Sequence, residues 1–148
     1  IARTGAANLR GTDGGYFGAG IYTTLQAQYA AGYATGLVPG QFVESTPEGC
    51  YAVVLCLVAV GNVYPITRHN DYPPDSDVSV FHCNFPDGRR KDKALKQGRD
   101  AHVVTISESS GYQVARTGDH GVWDELVLDQ ECKLLPLAIV YFQIRPDS

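Results

Sequence analysis

Tyr22 and Tyr33 stand eleven residues apart, and the first of them closes a stretch, GGYFGAGIY, in which Gly14, Gly15, Gly18 and Gly20 are set among Tyr16 and Phe17. Glycine is used where the backbone needs positive φ or where something must approach it closely. Flat side chains on such a bent, side-chain-poor backbone make a slot. A slot of that kind suits a planar ring, because stacked aromatic faces gain a contact beyond the area they bury. The same residues fit a plainer reading, in which the glycines only let a loop pass beneath a core tyrosine.

The elements around this stretch must hold it in place. Thr23 and Gln26 match a capping box. A helix is expected through Leu25, Gln26, Ala27, Gln28, Tyr29, Ala30, Ala31 and Tyr33, stopped by Gly36 ahead of Pro39, with Leu25, Tyr29 and Tyr33 on one face. Residues 37–50 read as a surface loop. Tyr51 to Val60, YAVVLCLVAV, is a continuous valine-dense apolar run that predicts a strand buried on both faces, with Asn62 to Thr67 as its exit. His69 to Gly98 is polar, and Val78 to His82 is its one strand-like piece. Ala101 to Ser107 alternates as a strand, on which His102 is expected to pack rather than react. Leu126 to Leu128 and Leu134 to Ile144 read as two more strands, joined by the polar turn Asp129 to Lys133, with Pro136 suited to an edge.

The whole chain has 148 residues, enough for one domain and too few for two ordinary ones. Hydrophobic residues at 44% and charged residues at 19% describe a soluble globular chain, in the cytoplasm or secreted. No apolar run nears the roughly 18 residues of a membrane span. The formal charge of −4 gives no field that would recruit nucleic acid or an anionic membrane. The one basic cluster, Arg89, Arg90, Lys91, Lys93 and Lys96, reads first as a solvated face and second as a contact for pyrophosphate or an acidic partner. Cys50, Cys56, Cys83 and Cys132 lack metal-ligand spacing, so no metal is expected; disulfides stay open. The chain starts at Ile1 and contains no methionine, and reads as a piece of a longer product.

FGAGIYTT, followed by a helix with AxYAxxY spacing, resembles the second signature block of the poly(ADP-ribose) polymerase-like ADP-ribosyltransferases. The segment WDELVLDQECKLLPLAIVYFQIR, Trp123 to Arg145, resembles the third, a catalytic glutamate before a short β segment, a turn and a final strand. The two blocks in this order, with a valine-rich strand between them, are more specific than either alone, and the resemblance runs from Gly5 to Ile144. It implies an α+β fold over residues 1–148, with two mainly antiparallel sheets and few helices around an NAD cleft. It implies NAD as cosubstrate, a nicotinamide ring held between Tyr22 and Tyr33, and NAD contacts from Gly18, Gly20 and Thr23. Glu125 becomes the catalytic glutamate, with Tyr22 beside it.

A carboxylate beside the sugar stabilises the positive charge that builds up when the bond between ribose and nicotinamide breaks, an advantage that exists only in the transition state. The resemblance therefore implies mono(ADP-ribosyl) transfer to a protein acceptor. An NAD glycohydrolase and a non-catalytic NAD or ADP-ribose binding module are the alternatives. Two departures stand out. The family's helix serine falls on Ala30, leaving Thr23 and Thr24 as substitutes, and its first signature, a His-Gly pair on an early strand, falls before Ile1. Trp123 stands where arginine-specific toxins carry a second glutamate, which disfavours arginine as acceptor.

Overall fold

A computed structural model describes residues 15–36, 49–82 and 94–144. In order, these form β1 (Ile21–Thr23), α1 (Ala27–Thr35), β2 (Tyr51–Val58), β3 (Val63–Pro65), α2 (Arg68–Asp71), β4 (Ala101–Ser107), β5 (Gln113–Val114), β6 (Val122–Leu128) and β7 (Leu134–Phe142). The architecture is α+β with two sheets and few helices. One sheet runs β1-β6-β4-β3, with β5 added alongside β4; the other pairs β2 with β7. All pairings are antiparallel except β3 with β4.

β4 and β6 form the centre of the larger sheet, in the register Val104 to Glu125 and His102 to Val127. β1 adds to β6 with Tyr22 opposite Val127. Side chains alternate across a strand, so Tyr22, Trp123, Glu125, Val127, His102, Val104 and Ile106 share one face. That face carries the core, where Phe17, Tyr29, Ile66, Phe81 and Val114 join Val104, Ile106 and Val127. α1 covers it. Gly36 ends the helix in the left-handed region at φ 73°, its N–H directed at the carbonyls of Gly32 and Tyr33.

Several expectations are corrected. The helix begins at Ala27, not at Leu25, which is exposed. The box of Thr23 with Gln26 does not form. Thr23 is spent on β1, and it is Thr24 that turns the chain: its Oγ1 accepts the Gln26 N–H at 3.1 Å and donates to Gln26 Oε1 at 2.9 Å. Val78 to His82 is not a strand but a turn, whose Ser79 hydroxyl donates to the Tyr16 carbonyl at 2.7 Å. Asn62 to Thr67, expected as a simple exit, hold a parallel strand, and a short helix follows at Arg68–Asp71. The helix is built on Asp71, which accepts the Tyr64 hydroxyl at 2.7 Å and the Thr67 N–H at 2.8 Å.

β2 is a strand, but it is not buried on both faces. Leu55 and Leu57 are more than half exposed, because among the described residues β2 pairs only with β7. β6 is longer than Leu126 to Leu128, and it does not form a hairpin with β7, which leaves for the other sheet across a 3₁₀ turn at Glu131–Lys133. Gly14, the loop at 37–48, Cys83 and the basic residues Arg89, Arg90, Lys91 and Lys93 lie outside the described residues.

Candidate functional site

Glu125 is the fourth of the seven residues of β6, not the first of a strand, and it is buried at 5% exposure. Burying a carboxylate is costly unless its oxygens are hydrogen-bonded. Here the Tyr29 hydroxyl donates to Oε1 at 2.6 Å and the Tyr33 hydroxyl to the same oxygen at 3.2 Å. The two phenol oxygens are 3.0 Å apart and their rings meet edge to face. Four residues apart on α1, they project from one side of the helix onto the glutamate.

The helix is held in register with β6 next door. Gln26 Oε1 accepts the Asp124 N–H at 3.0 Å, and its Nε2 donates to Asp124 Oδ2 at 3.3 Å. Asp124 Oδ1 in turn accepts the Thr105 hydroxyl at 2.8 Å. The residue before the glutamate thus ties the start of α1 to β6 and β4 from the opposite face of the sheet.

Around the carboxylate the lining is aromatic. Trp123 stacks on Tyr29 with centroids 5.7 Å apart and planes within 10°, and Tyr112 stacks on Tyr29 at 6.1 Å. Tyr112 holds φ at 61°, a left-handed conformation rare for a bulky residue, fixed by its N–H donating to the Ser107 carbonyl at 2.8 Å. Burial first, then the nearby Glu125 charge, pushes the Tyr29 phenol far above its ordinary range, so this hydroxyl stays a donor.

Tyr22 faces the same side as Glu125, and its hydroxyl belongs to the glycine loop: it accepts the Phe17 N–H and donates to the Gly18 carbonyl, both at 2.9 Å. A Cβ on Gly15 would stand 2.5 Å from that hydroxyl, and one on Gly20 would stand 2.4 Å from the Leu128 carbonyl oxygen. These two glycines allow close contacts within the protein. Gly18 takes φ 114°, which only glycine adopts readily. Its carbonyl takes the Tyr22 hydroxyl, while the Phe17 carbonyl lies 2.7 Å from His102 Nδ1.

Tyr33 thus meets Glu125 directly, Tyr22 shares the glutamate's sheet face opposite Val127, and Gly18 lies toward the His102 end of that face, bonded to the Tyr22 hydroxyl. Thr23 points to the other face, toward the Leu126 carbonyl. Thr24 is taken up by the turn before α1. Tyr29, read only as sharing a helix face with Leu25 and Tyr33, and Trp123, read only as the residue in place of a second glutamate, both take part in the arrangement around Glu125. The signals were there, since Tyr29 lies one helical turn before Tyr33 and Trp123 lies two residues before Glu125 on the same strand face. An open cleft of about 380 Å³ lies elsewhere, between the β3 end and β5, lined by Pro65, Thr67, Arg68, Thr105 and Ala115 among others. It does not include the glutamate. Among the described residues no group of His, Cys, Asp and Glu could hold a metal ion, and no helix is long and apolar enough to cross a membrane. No protein-family model and no curated protein matches this chain.

Proposed function

We propose that the chain is the catalytic domain of an ADP-ribosyltransferase that takes NAD as donor and modifies a protein acceptor, releasing nicotinamide. The observation that carries this reading is the convergence on one oxygen of Glu125 of two helix tyrosines, 92 and 96 positions away in sequence. The pairing of Glu125 and Tyr33 joins the two blocks on which the resemblance rests. A buried carboxylate walled by phenol and indole rings suits a ligand that offers a sugar and a planar base together.

NAD supplies the ADP-ribosyl group and a leaving group, nicotinamide, that departs with the electron pair of its bond to ribose. Glu125 holds a negative charge where positive charge develops on the sugar, and the low-dielectric wall strengthens that attraction. Tyr33 presents its ring at the rim of the aromatic face, while its hydroxyl helps to hold the carboxylate. Tyr22 and Gly18 lock the loop that borders the same face.

Nicotinamide release from NAD, with labelled NAD to follow transfer to protein, tests this. Glu125→Gln keeps the shape and removes the charge, and release is expected to fall by about 100-fold or more. Release without labelling of any protein points to water as acceptor, a glycohydrolase. NAD binding without release reduces the domain to a binding module, and neither binding nor release ends the reading.

A further inference from the structure

Resting on the ADP-ribosyl transfer reading, we infer that Tyr29 is a positioning residue, which sets the orientation of the Glu125 carboxylate for the reaction without touching substrate. Of the two phenols on Oε1, Tyr29 is the nearer, at 2.6 Å against 3.2 Å, and it is buried at 4% exposure whereas Tyr33 is half-buried. Its ring has no room to swing. Trp123 lies nearly parallel on one contact and Tyr112 on another, and the ring belongs to the main core cluster. Tyr112 keeps its place at a left-handed φ, a conformation that persists only where the surroundings impose it.

A donor fixed in this way holds the carboxylate before any ligand arrives. Preorganised charge is what makes electrostatic stabilisation effective, because nothing has to reorient as the transition state forms. Tyr33, longer in its bond and closer to solvent, is the member of the pair that can exchange its hydrogen bond when a ligand enters. The division of labour is then definite: Tyr29 acts through Glu125, and Tyr33 meets the ligand directly.

The test compares Tyr29→Phe and Tyr33→Phe in the full chain, with nicotinamide release as the readout, split into kcat and KM for NAD. Phenylalanine keeps the ring stack on Trp123, and a thermal unfolding midpoint checks that each variant is folded. Loss of one hydrogen bond to a charged group predicts that Tyr29→Phe lowers kcat by about 10- to 100-fold, with KM within about twofold. Tyr33→Phe is expected to raise KM. If Tyr29→Phe folds and keeps kcat within about twofold of wild type, or if its loss falls wholly on KM, the inference is overturned while the transferase reading stands. A double-mutant cycle on unfolding with Glu125→Gln separates the remaining case. Should the wild-type chain release no nicotinamide while Tyr29 and Glu125 still couple in stability, the transferase reading fails and the bond is structural only, which overturns the inference as well.

Discussion

The two sheets of this molecule handle polarity in opposite ways. On and beside the β1-β6-β4-β3 sheet, polar side chains are buried: His102 and Ser107 are fully inside, with Glu125 and, on α2, Asp71 nearly so. Each has partners within hydrogen-bond distance. On the β2–β7 pair the sequence is apolar almost throughout, yet Leu57, Leu135 and Tyr141 are about 60% exposed. The first sheet buries these polar groups beside its apolar core, while the second leaves apolar side chains outside. An apolar strand states only what it could bury, whereas a buried carboxylate that accepts two phenol hydrogen bonds states that the surrounding fold has been arranged for it. Chemistry is to be sought on the first sheet for that reason, although the second has the stronger hydrophobic signal.

The comparison breaks most severely at Gly20, where β1 meets β6. A Cβ there would stand 2.4 Å from the Leu128 carbonyl oxygen and 2.7 Å from Val127 Cγ1, neither of which can move without disturbing the Glu125 strand. Gly20→Ala is therefore expected to cost about 3 kcal/mol, read as a lowered urea midpoint together with lost nicotinamide release. A variant as stable as wild type would mean that β1 does not sit against β6 as described.

Matched truncations sharpen the contrast. Val127→Ala removes buried methyl groups from the core and should cost about 2 kcal/mol. Leu57→Ala removes more carbon from a side chain 59% exposed and should cost less than about 1 kcal/mol. Denaturant unfolding of the two variants side by side measures the difference. Equal losses would show that the β2–β7 face is covered in solution.

How far the sequence could be read follows the same division. The helix ending at Gly36 and the strand Ala101–Ser107 were legible, because a left-handed glycine stop and an apolar alternation are local signals. Glu125 and Tyr33 could be picked out, but only as members of separate motifs; their meeting depends on β6 lying under α1, which no local pattern encodes. Tyr29 was legible as a core aromatic and not as a partner of Glu125, since a phenol that packs and a phenol that donates look alike in sequence. The strand at Tyr51 was legible as a strand, but its burial was not. Burial is set by how many neighbours a strand finds, and β2 has one among the described residues. Thr23 lies on β1, and the turn before the helix uses Thr24, one residue on, a shift that on a strand changes the face.

The smallest effect expected from a buried side chain is that of the histidine of the first sheet. The N–H of Lys96 donates to His102 Nε2 at 2.8 Å, so that nitrogen must keep its lone pair, and Nδ1, 2.7 Å from the Phe17 carbonyl oxygen, must carry the proton. Protonating Nε2 would set one N–H against another. Burial accordingly lowers the His102 pKa from its ordinary 6.5, opposed by the Phe17 carbonyl and the Asp71 charge and assisted by Lys96. The unfolded chain then binds this proton more readily than the folded one, so the contribution is whole above about pH 6.5 and is lost as the pH falls below that value. Urea midpoints at pH 7.5 and pH 5.5, for wild type and His102→Gln, measure it. The variant should be less stable at the higher pH, by about 1 kcal/mol for the disturbed hydrogen bonds, and should lose less than wild type on acidification. An equal acid loss in both proteins would mean that His102 is not held neutral. The Lys96 N–H would then need another acceptor, while Nδ1–H would still donate to the Phe17 carbonyl.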